Sequence, residues 1–344
     1  MAKNASAKKS SISVNVDFDR PGRQVGYLRV MHSGNKTSGG AIPYPIAVIG
    51  KGKGPTVFIS SGNHGNEYEG QIISGRLIRE LDPDKVDGRI IIMPALNYLA
   101  VREDQRVSDV DGVNMNRIFP GDPDGGPTLA AAHFVETEIV PVCDVAMDLH
   151  SGGATSRYLP CAYVRSGGSK DLRARKLAAT EAFAAPLTVV VFSTASTGSL
   201  SAACDRNNVA MVATELGGAN TVTKKALQIG TEGVFRVLRH LEILAPDKAD
   251  EKRRQTRFVS YPDSTCMTMA PASGLFEPYC QLGDMVSVGQ PAGCIHSLEA
   301  PELDPVEVNF NRDGMIVVAR IRAPVKRGDY VFNVGVDVDR NELI

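Results

Sequence analysis

The sequence predicts an α/β fold: a mixed or largely parallel β-sheet flanked by helices, followed by a small all-β portion. Three observations predict it. From Pro55 to about His240, short β-branched apolar runs alternate with helical runs, the pattern of strands joined by helical connections. From about Phe258 onward the chain is strand and turn throughout, with GDMVSVGQ at Gly283 and GDYVFNVG at Gly328 placing Gly-Asp turns among alternating apolar residues. A charged break, PDKADEKRRQ from Pro246, separates the two regions.

The elements follow in order. The first residues, MAKNASAKKSS, are polar and basic without an apolar core, so residues 1–22 read as a flexible arm rather than a signal peptide. YLRVM and YPIAVIG, around a Gly/Ser turn within Arg23 to Gly50, predict a leading hairpin. Strands are expected at Pro55, Arg89, Val145, Leu159, Thr188 and Val209. Helices are expected near Glu67, Leu129, Asp171, Ser199 and Thr223. The first of these helices, Glu67 to Leu81, puts Ile72, Ile73, Leu77, Ile78 and Leu81 near one face. The domains so delimited are the arm 1–22, an α/β domain 23–250 and a C-terminal β domain 256–344.

Three strand ends carry chemistry. His64 and Glu67 follow PTVFISS, His150 ends VAMDLH, and Glu215 ends VAMVATE. In open α/β sheets the carboxyl ends of the strands are where ligands bind. Two histidines and one carboxylate form the ligand set of a catalytic zinc site with an open fourth position. Glu215 is then free to act as a base. Any one of these residues alone is more often a hydrogen-bonded core or surface residue; their shared placement at strand ends carries the metal reading. Asp148, two residues before His150, shares its strand face and reads as an acid orienting the imidazole. His32, His133, His240 and His296 lack such context.

Between these segments Arg102 to Gly121 reads as a long polar loop bearing Arg106, Asn114, Asn116 and Arg117. A guanidinium suits bidentate recognition of a carboxylate, and a second can stabilise an oxyanion. Ser193 to Ser201 contains no Gly-x-Ser-x-Gly elbow, so it reads as the cap of the helix near Leu200 rather than a nucleophile.

GNHGNEYEG, NMNRIFPG, DLHSGG and ATELGG, in this order, resemble the succinylglutamate desuccinylase and aspartoacylase family of zinc carboxypeptidase-like enzymes, across nearly the whole chain. Within it the sequence is similar to the branch that deacetylates N-acetyl-diaminobutyrate in ectoine breakdown. The resemblance implies one Zn²⁺ per subunit on His64, Glu67 and His150, with Glu215 as general base. It implies Asn116 and Arg117 on the substrate α-carboxylate, Arg106 on the scissile carbonyl, and Asp148 behind His150. The implied reaction is hydrolysis of a secondary amide by zinc-activated water, releasing a carboxylate, here acetate, and a free amino acid. The family also uses a tyrosine from the C-terminal domain; no motif fixes its counterpart, and Tyr279 and the other tyrosines stay unassigned. A deacylase of another N-acyl amino acid, a zinc carboxypeptidase, and a metal-containing amino-acid-binding protein are the alternatives.

The C-terminal segment resembles a biotinyl or lipoyl carrier-type barrel-sandwich. A carrier needs a lysine at a hairpin tip, and no lysine occurs between Gln290 and Asn311. The segment is therefore expected to wall the active site, which favours a small N-acyl amino acid over a polypeptide. The acidic loop SLEAPELDP, with Glu299, Glu302 and Asp304, is a candidate partner for a substrate amine.

Composition fits a cytoplasmic enzyme. At 344 residues the chain is long enough for a large core. A formal net charge of -1 gives no electrostatic case for nucleic acid or an anionic membrane. No stretch approaches about 20 apolar residues, so no span is expected. Six cysteines stand apart without a Cys-x-x-Cys pair, which suits reduced thiols. A homo-oligomer, a dimer, is the expectation from general symmetry preferences.

Overall fold

The computed structural model describes residues 12–34, 37–192, 196–248, 250 and 255–344. Strands β1 (Ile12–Val14), β2 (Gly22–Gly34) and β3 (Thr37–Gly50) come first and pair antiparallel in sequence order. The α/β portion then runs β4 (Thr56–Ser61), α1 (Tyr68–Glu80), β5 (Arg89–Met93), α2 (Tyr98–Glu103), α3 (Pro127–Phe134), β6 (Val145–His150), β7 (Ser156–Tyr158), β8 (Cys161–Arg165), α4 (Lys170–Phe183), β9 (Leu187–Val191), α5 (Leu200–Arg206), β10 (Ala210–Glu215) and α6 (Lys224–His240). The C-terminal strands are β11 (Arg257–Ser260), β12 (Met267–Met269), β13 (Gly274–Pro278), β14 (Met285–Val286), β15 (Pro291–His296), β16 (Val306–Asn309), β17 (Gly314–Arg320), β18 (Pro324–Val325) and β19 (Tyr330–Asp337).

The large sheet is mixed, as the alternating pattern predicts. Its order is β1-β2-β3-β5-β4-β6-β10-β8-β9-β11-β19-β17-β14. The central β5, β4, β6 and β10 run parallel, and β8 is antiparallel to β10. Strands β4, β5 and β6 are buried at every position, because helices cover both faces. Successive side chains point to opposite faces. Phe58, Ile91, Ala146 and Met211 meet Ala130 to Ala132 of α3 and Leu200, Ala203 and Cys204 of α5. Val57, Ile59, Ile90, Ile92, Val145 and Met147 meet α1, α4 and α6 through Ile73, Leu77, Phe183, Val234 and Val237.

A second sheet, β16-β15-β13-β18, has four strands. Phe276, Ile295 and Val308 from it share an apolar core with Ile316, Val331, Phe332 and Val334 of β17 and β19. Two pairings tie the C-terminal strands to the α/β portion. Strand β7 pairs with β17, Ser156 opposite Arg320, and β11 pairs in parallel with β9.

Several expectations change. Ile12–Val14 is a strand paired with β2 and Val16 is buried, so the sheet begins inside the expected arm 1–22; residues 1–11 lie outside the described ones. The expected break near Pro246 falls partly outside the described residues too, and β11 beyond it extends the large sheet instead of starting a separate one. An uncovered β9 edge would present unpaired backbone groups, and β11 pairs them. Ile72 of α1 faces solvent, while Ile73, Leu77 and Leu81 are buried. Helix α2, capped by the Asn97 side chain accepting from the Ala100 amide, runs into the start of the expected loop; six residues are too few to show a period.

Candidate active site

Strand alternation assembles the site on one face. On β6 Ala146, Asp148 and His150 point to the α3/α5 side; on β10 Met211, Ala213 and Glu215 do the same. The parallel register sets Glu215 beside His150 and Ala213 beside Asp148. The chain leaves β4 through Gly62, whose φ of 66° is a left-handed conformation suited to glycine, and delivers His64 over the strand ends. Glu67 then stands at the N-cap of α1.

A cleft of about 540 Å³ opens at these strand ends. All eight candidate residues line it: His64, Glu67, Arg106, Asn116, Arg117, Asp148, His150 and Glu215. Its size suits a small molecule. His64 Nδ1 lies 2.6 Å from Glu67 Oε1, and His150 Nδ1 lies 2.7 Å from Glu67 Oε2. The outer nitrogens are held from behind. His64 Nε2 is 3.2 Å from Asn114 Oδ1, and His150 Nε2 is 2.7 Å from Asp148 Oδ2. Each ring can thus give its Nε2 proton to an outer acceptor and keep Nδ1 as a lone-pair donor toward the other ring and Glu67. Asp148 in turn accepts from Ser60 Oγ at 2.7 Å and Asn63 Nδ2 at 3.2 Å. Three buried donors, two imidazole nitrogens and a carboxylate, converge within 4.8 Å, which fits a metal ion.

The charges follow from this packing. Burial opposes ionisation of Glu67, but the charges and hydrogen bonds of His150 and His64 outweigh it and hold the carboxyl at about 2. Burial likewise works against Asp148, whose pKa His150 nevertheless lowers. Glu215 has no such support. Its Oε2 is buried without a hydrogen-bond partner. Burial, then the Glu67 charge, push its pKa up to about 8, against the pull of His150 and Arg106.

The loop contributes cations. Arg106 Nη1 sits 3.4 Å from His64 Nδ1 and 3.6 Å from Glu67 Oε1, so it points at the cluster. Asn116 Oδ1 accepts from the Leu200 amide at 3.1 Å, which leaves Nδ2 toward His150. Arg117 Nη1 bonds the Asn116 carbonyl at 2.7 Å. Gly198 lets the loop before α5 close on this segment: a Cβ there would stand 2.1 Å from the Arg117 carbonyl oxygen. Ser199 caps α5 through the Ala202 amide, as expected; residues 193–195 of that Ser-rich stretch lie outside the described ones.

Residues 53–241 match the succinylglutamate desuccinylase/aspartoacylase catalytic domain. The chain belongs to the succinylglutamate desuccinylase/aspartoacylase family. Over 324 residues, 94% of each chain, it is 35% identical to N-alpha-acetyl-L-2,4-diaminobutyric acid deacetylase of Halomonas elongata. It is 37% identical to a succinylglutamate desuccinylase/aspartoacylase structure from Rhodobacter sphaeroides, covering 96% of this chain and all of the other, with a TM-score of 0.89. The product-bound ectoine utilization protein EutE (DoeB) of Ruegeria pomeroyi is 34% identical with a TM-score of 0.91, over 96% of this chain and all of that one.

Tyr330 and Arg165 are among several cleft residues of this family member that the sequence pattern does not single out. Tyr330, at the start of β19, lines the cleft and its hydroxyl bonds Ser156 Oγ. Arg165, at the end of β8, gives Nη1 to Ser196 O at 2.9 Å and Ser199 Oγ at 3.0 Å, while its buried Nε has no partner. Arg165 alternates with Cys161 and Tyr163 on β8, and the pairing of Cys161 with Glu215 and Tyr163 with Ala213 of β10 sets its place in the sheet. Glu299, Glu302 and Asp304 are exposed and do not line the cleft, so the acidic loop is a solvated one. Tyr279 is exposed and likewise outside it.

Proposed function

We propose that this protein is a zinc-dependent deacylase of N-acyl amino acids that converts N-alpha-acetyl-L-2,4-diaminobutyrate to L-2,4-diaminobutyrate and acetate in ectoine breakdown. The observation that carries the chemistry is the buried His64–Glu67–His150 convergence with an unpaired Glu215 on the adjacent strand end. The substrate rests on the 35% identical deacetylase over 94% of the chain and on the likeness to EutE. His64, Glu67 and His150 would hold Zn²⁺, one per subunit. A bound Zn²⁺ supplies a water of lowered pKa and a Lewis acid for the acyl oxygen.

This chain's own residues do the rest. Glu215, whose Oε2 is buried and unpaired, takes a proton from the attacking water and returns it to the departing nitrogen. Arg106, beside the cluster and half exposed, reaches the oxygen on which negative charge develops. Asn116 Nδ2, Arg117 and Arg165, which all line the cleft, bind the α-carboxylate. The side-chain amine meets hydroxyls of Ser156 and Tyr330, since the acidic side chains of the cleft are Glu67, Asp148 and Glu215. We read the C-terminal β portion, residues 256–344, as a barrel-sandwich wall that encloses the substrate, because it delivers Tyr330.

Six unpaired thiols suit a cytoplasmic enzyme, and no helix among the described residues is long and apolar enough to cross a membrane. The partner is the small substrate, and we keep a homodimer as the expected assembly. The test is acetate release from N-alpha-acetyl-L-2,4-diaminobutyrate beside N-acetylaspartate and succinylglutamate, for wild type and Glu215→Ala, with zinc measured in both. Turnover of the first substrate that the variant loses while keeping zinc supports the reading. Preference for another substrate overturns the substrate, and zinc-loaded protein inert on all three overturns the activity.

A further inference from the structure

A second convergence of metal-type donors lies on the outer sheet, away from the cleft. Strands β13 and β15 pair antiparallel with Glu277 opposite Cys294 and Leu275 opposite His296. Cys294 and His296 are two residues apart on one strand, so their side chains share a sheet face with Glu277. The distances are short: His296 Nε2 to Glu277 Oε2 is 2.7 Å, Cys294 Sγ to His296 Nε2 is 3.4 Å, and Cys294 Sγ to Glu277 Oε2 is 3.5 Å. On the other side of β15, Glu307 of β16 stands in register with Cys294. None of these residues lines the cleft, and the proposed deacylation uses none of them.

We propose that Glu277, Cys294 and His296 form a second metal site, which takes a thiophilic divalent ion of the Zn²⁺ class and ties β13 to β15. The donor types decide the ion. A thiolate and an imidazole select zinc-like metals over Mg²⁺ or Ca²⁺, which take oxygen ligands. The geometry is close to what that ion needs. Tetrahedral bonds of about 2.3 Å to sulfur and about 2.0–2.2 Å to nitrogen or oxygen put ligand atoms roughly 3.3–3.6 Å apart. The two distances from sulfur already meet this, and the His296–Glu277 pair has only to widen by roughly 0.6 Å. Cys294 is buried while Glu277 and His296 are exposed, so the ion would enter from solvent onto a fixed sulfur. Glu307 or a water completes four-coordination.

The proposed catalytic cluster contains no sulfur, and this makes the two sites separable. The full chain would be loaded with Zn²⁺ or Co²⁺, freed of loose ions, and assayed for metal per chain and for a thiolate-to-cobalt charge-transfer band. Two ions per wild-type chain are expected, with the sulfur band present. His296→Ala and Glu277→Gln, both exposed changes, should lower the content to one ion with turnover unchanged. Cys294→Ser should abolish the band. His64→Ala should keep it, whatever happens to deacylation. One ion in the wild type without the sulfur band overturns the proposal. So does a second ion that survives both His296→Ala and Cys294→Ser, because it then sits elsewhere.

Discussion

Glu215 and His150 end neighbouring parallel strands in register, yet their surroundings differ sharply. His150 has carboxylates at both ring nitrogens, Glu67 on one and Asp148 on the other. Glu215 has a buried oxygen with no partner. Most carboxylates at this depth are paired. An unpaired one beside a metal-type cluster is suited to handling a proton.

Replacing Glu215 by Gln should therefore separate proton transfer from metal binding. The change keeps the shape and removes the base. Turnover should fall by about 10²–10⁴-fold. Metal content should stay at the wild-type level, since Glu215 is not among the converging donors. Steady-state rates with metal analysis on the same sample check this, and wild-type turnover in the variant would exclude Glu215 as the base.

Metal-free protein should lose stability as pH rises through the neutral range. The folded-state pKa of Glu215, about 8, lies above its ordinary value of 4.5. Between these values the native state holds a proton that the unfolded state has released. Stability therefore falls with rising pH until the native group also ionises. His150, whose pKa is raised well above 6.5 against the opposition of burial, adds in the same sense. Glu67, held near 2, acts oppositely, and its contribution fades as pH drops below the usual carboxylate range. Denaturant unfolding of chelator-treated protein from pH 5 to 9 would show the slope. Glu215→Gln should flatten it, and parallel curves for the two proteins would contradict the assignment.

Asp148 should matter for metal affinity more than for folding of the strand. Its carboxylate, 2.7 Å from His150 Nε2, can accept a hydrogen bond from that nitrogen and so leave Nδ1 toward Glu67. Asparagine keeps the size but weakens that hold. Loss of such an outer acceptor usually costs about 10–100-fold in metal affinity. Competition against a zinc chelator would read it, and unchanged affinity in Asp148→Asn would remove Asp148 from the site.

How much of this was readable beforehand depended on distance along the chain. His64, Glu67, Asp148, His150 and Glu215 each sit at or beside a strand end, so local pattern placed them. Arg165 sits at a strand end too, but its face is fixed only by the order β10-β8, which periodicity does not reveal. Tyr330 reaches Ser156 across 174 positions of chain, through the pairing of β7 with β17. His296 had no local context, because its neighbour Glu277 comes from the strand before it. The acidic loop at Glu299 had the right charge, but the fold holds it in solvent.

Gly198 should be intolerant of even one added carbon. A Cβ would stand 2.1 Å from the Arg117 carbonyl oxygen and 2.5 Å from its carbon, both backbone atoms that cannot step aside alone. Gly198→Ala should then displace Arg117 and Asn116 from the cleft while leaving the metal donors in place. A shift on the order of 1 Å in a positioning group can cost about 10²-fold in rate. We expect kcat/KM to fall by roughly 10–100-fold at unchanged metal content. Wild-type kinetics in this variant would show that the Arg117 segment does not position substrate.

Arg165 and Arg117 should both answer to the substrate carboxylate, and an uncharged substrate can show it. Arg165 lines the cleft and is anchored through Nη1 to Ser196 and Ser199, so its guanidinium is held in place beside a bound substrate. Hydrogen bonds to charged groups contribute about 1.5–3 kcal/mol, or roughly 10–150-fold in affinity. Arg165→Ala should raise KM for the N-acetyl amino acid by an amount in that range and leave kcat nearer to wild type. With the α-carboxylate replaced by a carboxamide, wild type should already have lost this binding, and the same substitution should then change little. If Arg165→Ala weakens the acid and the amide equally, its effect comes through the Ser196–Ser199 loop rather than through a carboxylate contact.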